Sequence, residues 1–383
     1  MKIGLDCRFI KYQQIDGIAR FTLSLYRELV KTLNPYEYYL ICQSHNQIDF
    51  LKSWLKDRPL TCGPCNYVIA NFFQIPAIIK KEKINIFFSP NYITLPLSFF
   101  CSHIVVVHDL IPFLFPQYFK EASLKFRLFF KNNLFIKFIL KNVNHIITVS
   151  TSSKNDIVKY TGIQENKISV ITEGVDKIDI QSSQIEQIIN KYKLPAKYIL
   201  YVGRYDPYKN ISLLLKIFSR LGDLKENFFL VLAGKEDERY TPFLKELAKE
   251  LNIEDKVIFL GFVTPEELPA IYQKSTILVH ASLYEGFGLS ILEAMNYGTP
   301  VVAFNTSSIP EVLKDCGILV PAYDENAFSN AITELLTNED KRHELITKAK
   351  ERAAKFNWAN TAQQVLDIIT NKVIINKFIK EEK

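Results

Sequence analysis

Residues 275–293 read Ser-Thr-Ile-Leu-Val-His-Ala-Ser-Leu-Tyr-Glu-Gly-Phe-Gly-Leu-Ser-Ile-Leu-Glu. The β-branched and apolar run Ser275–His280 has the composition of a strand, and Gly286-Phe287-Gly288 the composition of a turn that opens a helix. Strand, glycine-rich turn and helix together make an anion cradle, because the first N–H groups of a helix have no intrahelical acceptor and bind phosphate. Glu285 and Glu293 stand eight residues apart, a spacing that puts both on a similar helical face. A carboxylate there suits hydroxyls rather than phosphate. The stretch is therefore suited to a ligand with sugar at both ends and phosphate in the middle.

The rest of the chain repeats the same local grammar. Short β-branched or aromatic runs occur at 2–6, 36–42, 85–89, 103–108, 145–149 and 168–172. A second set occurs at 198–203, 228–233, 257–260, 276–280, 301–304 and 318–320. Helix-length segments separate the runs, including an amphipathic helix at Phe21–Leu33. Alternation of this kind predicts an α/β protein with two units built on mainly parallel sheets. The expected boundaries are a first domain at 1–185 and a second at 186–357, joined by a linker near Ile180–Pro195. The segment 358–383 is expected to be helical and to cross back onto the first domain, its charged tail fraying. Open sheets of this class bind ligands beyond the carboxyl ends of their strands, so a cleft between the domains is the expected site.

The chain has 383 residues, of which 48% are hydrophobic and 23% charged, as in an ordered globular protein with ample cores. No apolar run reaches the roughly 18 residues of a membrane-spanning helix. Met1–Asp6 reads as a strand and not as a signal peptide, which points to a cytoplasmic protein. The net charge of +6 is uneven: residues 1–185 carry 22 Lys/Arg against 14 Asp/Glu (+8), the remainder 25 against 27 (−2). A basic first half favours an anionic partner, but no nucleic-acid-binding motif accompanies it. The tetrapeptide Cys62-Gly-Pro-Cys65 has the form of a redox motif without the strand and helix that should flank it, so a surface loop is expected.

Further polar groups fall at expected strand ends. Gly203-Arg204 and Lys209 follow the strand Tyr198–Gly203, where a guanidinium fork and an ammonium can clamp a diphosphate. His108-Asp109 follows the strand His103–His108, where an imidazole would face a ligand. Gly17 precedes the first helix and would let a ligand approach its N-terminus. Ser307 and Ser308 stand at a helix start near the Glu285 loop and are candidate nucleotide contacts. His280 and Trp54 are read as structural. Basic and aromatic residues interleave through 119–141, in the manner of a helix lying on an anionic membrane. A core helix with wetted cations is the competing reading. No Asp-x-Asp and no metal-ligand spacing occurs.

In this order, these residues resemble the GT4 family of retaining glycosyltransferases, which have the GT-B fold: two Rossmann-like domains with parallel sheets facing across a cleft. The resemblance covers nearly the whole chain. It rests on the Glu285–Glu293 block, the Gly203–Lys209 turn, the Val149-Ser150 strand end, and the runs Leu292–Met295 and Gly298–Val302. His108-Asp109-Leu-Ile-Pro112 and Gly17-Ile-Ala-Arg20 narrow the resemblance to bacterial mannosyltransferases of polysaccharide assembly.

The resemblance implies a donor-binding second domain and an acceptor-binding first one. Arg204 and Lys209 would hold the donor diphosphate, Glu293 the ribose and Glu285 the sugar. Gly286, Phe287, Gly288 and Leu289 would offer backbone groups, His108 would sit at the reacting face, and Gly17 would frame the cleft. The implied activity is a hexosyltransferase without cofactor or metal, using a nucleotide-diphosphate sugar (GDP-mannose first) on a glycan or lipid-linked glycan. It would act in the cytoplasm or on the inner face of the cell membrane. A UDP-sugar-dependent transferase and a non-catalytic nucleotide-sugar-binding subunit are the alternatives. A dehydrogenase would need Gly-x-Gly-x-x-Gly after a strand, which is absent. Since the diphosphate charge would be met by Arg204, Lys209 and helix N-termini, EDTA is expected to leave turnover intact. A strict Mg²⁺ requirement in a donor-consumption assay would contradict this.

Overall fold

Every strand pairing among the described residues is parallel. The computed structural model describes residues 1–10, 17–33, 37–52, 59–61, 63, 69–96, 98, 100–115 and 133–381, with main chain alone for 59–61, 133–136 and 372–381. The strands are β1 (Lys2–Asp6), β2 (Glu37–Cys42), β3 (Pro59–Thr61), β4 (Ile86–Ser89), β5 (Ser102–Val106), β6 (His145–Thr148) and β7 (Ile168–Val170). They form one sheet in the order β3-β2-β1-β4-β5-β6-β7. A second sheet holds β8 (Tyr198–Val202), β9 (Phe229–Ala233), β10 (Val257–Gly261), β11 (Ile277–His280), β12 (Val301–Phe304) and β13 (Ile318–Val320). Its order is β10-β9-β8-β11-β12-β13. Runs such as Ile104–Val106, Ile277–Val279 and Val301–Phe304 are wholly buried, as parallel strands covered on both faces by helices must be. Both orders reverse direction beside the first strand of their sheet. This is the doubly wound arrangement of Rossmann-like domains, and it opens a crevice at the reversal.

Two compact units result. One comprises Met1–Leu114, Ala122–Gly174 and Phe356–Lys383; the other comprises Phe115–Glu121 and Val175–Lys355. The chain passes from the first unit to the second after Gly174, where the sequence places the boundary at 185. The expected linker is largely helix, at Ser182–Lys191. Its apolar residues Ile185, Ile188 and Ile189 have helical spacing, and Gln181 and Gln184 cap its start reciprocally. Lys191 and Tyr192 bond the Glu267 carboxylate at 2.5 and 2.7 Å, which ties this helix to the second unit. No described helix is long and apolar enough to cross a membrane.

In the first unit, a buried ion pair that no motif in the sequence marks stands at the carboxyl end of β1. Arg8 Nε and Nη2 meet the two Asp6 oxygens at 2.8 Å each. Arg8 also donates to Asn71 Oδ1 at 2.7 Å and to the Thr94 carbonyl. Burial of both charges is tolerable because the carboxylate takes a bidentate fork and other acceptors occupy the rest of the guanidinium.

The last helix, Trp358–Glu381, packs along the helix Gly17–Thr32. Trp358 meets Phe21 with ring centroids 5.6 Å apart, and Thr361 Oγ1 donates to the Thr172 carbonyl at 2.9 Å. The approach requires a glycine at 174, where a Cβ would lie 2.4 Å from the Trp358 nitrogen and 2.7 Å from the Asn357 carbonyl carbon. Neither is the end of a flexible side chain, so the clash cannot relax cheaply. Gly174→Ala is expected to destabilise the first unit by about 3 kcal/mol in urea unfolding; an unchanged midpoint would contradict this packing.

Candidate active site

β8 and β11 are neighbours in the second sheet although β9 and β10 separate them in sequence. The loops that leave their carboxyl ends consequently meet at the reversal of strand order. The β8 loop turns through Pro207–Lys209, and Asn210 (φ 58°) hands the chain to the helix Ile211–Ser219. The Leu283 N–H of the β11 loop donates to the Tyr208 carbonyl at 2.9 Å, which links the two loops directly. Phe115 stacks on Tyr208 and meets Tyr284 edge-on, with centroids 6.2 and 6.1 Å apart.

The chemistry converges on Glu285. Lys209 Nζ donates to Oε1 at 2.6 Å and to Oε2 at 2.8 Å. His280, the last residue of β11, bonds Oε1 through Nε2 at 2.8 Å. Opposite a carboxylate, that nitrogen is the donor. Only 14% of the Lys209 side chain and 10% of the Glu285 side chain are exposed. Burial alone would push the Glu285 carboxyl up, but the Lys209 charge and the His280 bond outweigh it and hold the group well below the usual 4.5. A depressed carboxyl stabilises the fold above the unfolded-state value, and that contribution disappears as pH falls through the folded-state one. Glu285 is thus ionised at any pH near neutrality.

The loop around Glu285 is braced from the next strand. The Glu285 N–H donates to Ser307 Oγ at 2.8 Å, and Ser308 Oγ donates to the carbonyls of Glu285 and Phe287 at 3.0 and 2.8 Å. Ser307 and Ser308, candidate nucleotide contacts in the sequence, brace this loop: short hydroxyls after β12 lie beside the main chain that follows β11. Gly288 takes φ 105°, a backbone conformation costly for other residues, and begins the helix Leu289–Tyr297 without a side-chain cap. The Ile291 N–H turns back to the Gly288 carbonyl at 3.0 Å, so the first two N–H groups of the helix, those of Leu289 and Ser290, are the ones open to another acceptor. Phe287 is buried. Glu293, the fifth residue of this helix, is buried and accepts from the Tyr272 hydroxyl at 2.9 Å.

The other expected site residues have their own neighbours. Arg204 is exposed, and its Nε pairs with Asp206 at 3.1 Å. Gly203 is required by its own neighbour, since a Cβ would meet the Tyr201 hydroxyl at 2.8 Å. His108 belongs to the first unit, two residues beyond the end of β5. Its Nε2 lies 3.1 Å from the Pro90 carbonyl and its Nδ1 lies 3.5 Å from Glu173. Phe21 meets its ring edge-on at 4.6 Å. Gly17 is the first residue of its helix, with no atom within 4 Å of where a Cβ would stand. Residues 116–132, most of the expected membrane segment, lie outside the described residues, as do Cys62, Cys65 and Trp54; Asn133–Lys141 is helical.

The sequence reading took His280 as structural and did not single out Glu173. A histidine at the end of a strand that feeds the glutamate loop was the signal for the first. A carboxylate three residues after β7, at the carboxyl end of the first sheet, was the signal for the second.

Residues 184–352 match the family described as "Glycosyl transferases group 1" and residues 15–177 match "Glycosyltransferase Family 4". The chain belongs to the GT4 glycosyltransferases of GT-B fold. Its similarity extends to bacterial O-antigen mannosyltransferases. The serotype-specific mannosyltransferase WbdA of Escherichia coli is 32% identical over 274 residues, 70% of this chain and 33% of that protein. The chain thus spans about a third of the length of the first curated relatives it matches. The O-antigen chain mannosyltransferase B of Escherichia coli is 28% identical over 395 residues, 96% of this chain and 99% of that protein. Among solved structures, Anabaena HepE in complex with UDP and glucose has a TM-score of 0.76 at 17% identity, covering 97% of this chain and 100% of that one. At that identity the likeness is one of fold.

The Lys209–Glu285 pair makes a stability prediction. Lys209→Met leaves a buried carboxylate without its cation and is expected to cost about 3–5 kcal/mol. Adding Glu285→Gln removes that charge and is expected to recover more than half of the loss in thermal unfolding. Additive losses in the double variant would contradict the coupling.

Proposed function

We propose that the chain transfers a hexose, mannose first, from a nucleotide-diphosphate sugar to a growing or lipid-linked glycan, with retention of configuration. The observation that carries the reading is the meeting of Lys209 and Glu285 at the strand-order reversal of the second sheet. A cation for phosphate and a carboxylate for sugar hydroxyls stand side by side there, at the edge of a helix N-terminus. The names of the O-antigen mannosyltransferases support the choice of sugar and acceptor class. The UDP and glucose bound by HepE support a second reading with the same chemistry, in which the donor is a UDP-sugar.

In the proposed reaction an acceptor hydroxyl attacks the anomeric carbon and the bond to the diphosphate oxygen breaks. The electron pair leaves with the diphosphate, which takes up growing negative charge. Lys209 and Arg204 meet that charge, Arg204 turning from Asp206, with N–H groups of Gly286, Phe287, Gly288 and Leu289 as further donors. No metal is required for this neutralisation. Glu293 takes the ribose hydroxyls and Glu285 those of the sugar. His108 acts on the transferred sugar, with Glu173 beside its Nδ1. Retention is proposed from the likeness to the GT4 family and rests on no distance in the fold. Attachment to an anionic membrane through 119–141 belongs to the same proposal.

Calorimetric titration with GDP-mannose, UDP-glucose and a dTDP-sugar tests the donor. GDP-mannose is expected to bind tightest, and absence of binding by all three would refute the reading. Arg204→Ala is expected to lower turnover about 10²–10³-fold without shifting the melting temperature, and near-normal rates would remove Arg204 from the clamp. His108→Ala is expected to impair turnover more than donor binding; equal losses would move His108 away from the reacting carbon.

A further inference from the structure

Glu285 is surrounded by more donors than its neutralisation needs. Lys209 alone satisfies both carboxylate oxygens, yet His280 also bonds one of them, Oε1. The two partners differ in kind. Lys209 carries its charge on a flexible four-carbon stem and can turn to another anion. His280 is 1% exposed, sits on β11 with its register partner Ala303 in β12 alongside, and cannot follow. Among the described residues its Nδ1 has no hydrogen-bond partner, so the bond to Glu285 is the one polar contact that fixes the ring. The main chain of Glu285 is held at both its N–H and its carbonyl by Ser307 and Ser308. The remaining freedom of the carboxylate is rotation about its own side-chain bonds.

We propose that His280 is a positioning residue that commits Oε1 of Glu285 and so leaves Oε2 as the oxygen that a donor-sugar hydroxyl takes when Lys209 turns to the diphosphate. The proposal rests on the reading of Glu285 as the sugar contact and adds which oxygen serves and what fixes it. Once Lys209 turns away, a buried carboxylate beside an anionic diphosphate would lose its cation, and it must keep other donors to remain in place. His280 supplies one of them in every state of the site. The sugar hydroxyl supplies the other, replacing what Lys209 withdraws from Oε2. A nucleoside diphosphate without sugar offers Oε2 no replacement hydroxyl, so Lys209 stays on Glu285 and the bare nucleotide is held by the other donors, independently of His280. The sugar part of the donor therefore contributes to affinity through a carboxylate whose plane is already set.

The test compares GDP-mannose with GDP, and UDP-glucose with UDP, by calorimetry on the full chain. Variants are His280→Gln, whose amide nitrogen reaches the Nε2 position, His280→Asn, whose shorter amide does not, and His280→Leu. His280→Leu and His280→Asn are expected to bind the bare diphosphate within about twofold of the parent. They are expected to lose roughly 10–100-fold of the preference for the sugar-bearing form, with a matching fall in turnover. His280→Gln is expected to restore most of both. Equal losses for sugar-bearing and bare nucleotides, or a His280→Gln as impaired as His280→Asn, would overturn the proposal and leave His280 as packing. If His280→Leu does not fold, the Gln and Asn pair decides alone. Glu285→Gln separates the underlying reading: a sugar preference that survives it removes Glu285 from the sugar, whatever His280 does.

Discussion

A carboxylate that water barely reaches must be given its counter-charge by the fold, and in this protein that requirement organises the second unit. Glu285 is ionised in a buried setting because Lys209, 76 positions away in sequence, is delivered to it. Delivery depends on strand order, since only the reversal that makes β8 and β11 neighbours puts the two loops together. The loop after β12 then supplies the serines that hold the glutamate's main chain. Three adjacent strand ends thus act on a single residue. The chemistry proposed for the site uses the same charges that stabilise it, so binding exchanges partners in place of creating new charge in the interior.

Much of this was legible in the sequence, and the parts that were not share a cause. Strands such as 277–280 and 301–304 stand out because parallel strands buried on both faces need apolar runs. β3 escapes that logic: Pro59-Leu60-Thr61 is three residues long and lies at a sheet edge, where one side needs no partner. The helix Ser182–Lys191 stands where a linker is expected, after the last strand of its set, although its isoleucines have helical spacing. Glu285 and Glu293 were identifiable from their interval. Their partners were not, because no interval in the chain encodes that Lys209 and His280 share one carboxylate or that Tyr272 reaches Glu293. Side-chain direction decided the rest. Arg204 turns to Asp206, and Ser307 and Ser308 turn to the main chain.

The close seat of Gly174 against the start of the final helix has a consequence for the order of assembly. Domains commonly fold on the ribosome in the order in which they are made. In this chain the last piece of the first unit, Phe356–Lys383, is translated only after the whole of Val175–Lys355. By then every residue of the second unit has been made, while the first still lacks a helix against Gly17–Thr32. A nascent first unit would expose the apolar groove that Trp358, Ala362 and Val365 later fill, and premature termination would leave that groove open in the released polypeptide. Chaperone dependence during translation, in contrast to the finished protein, would then be concentrated in the half that emerges first.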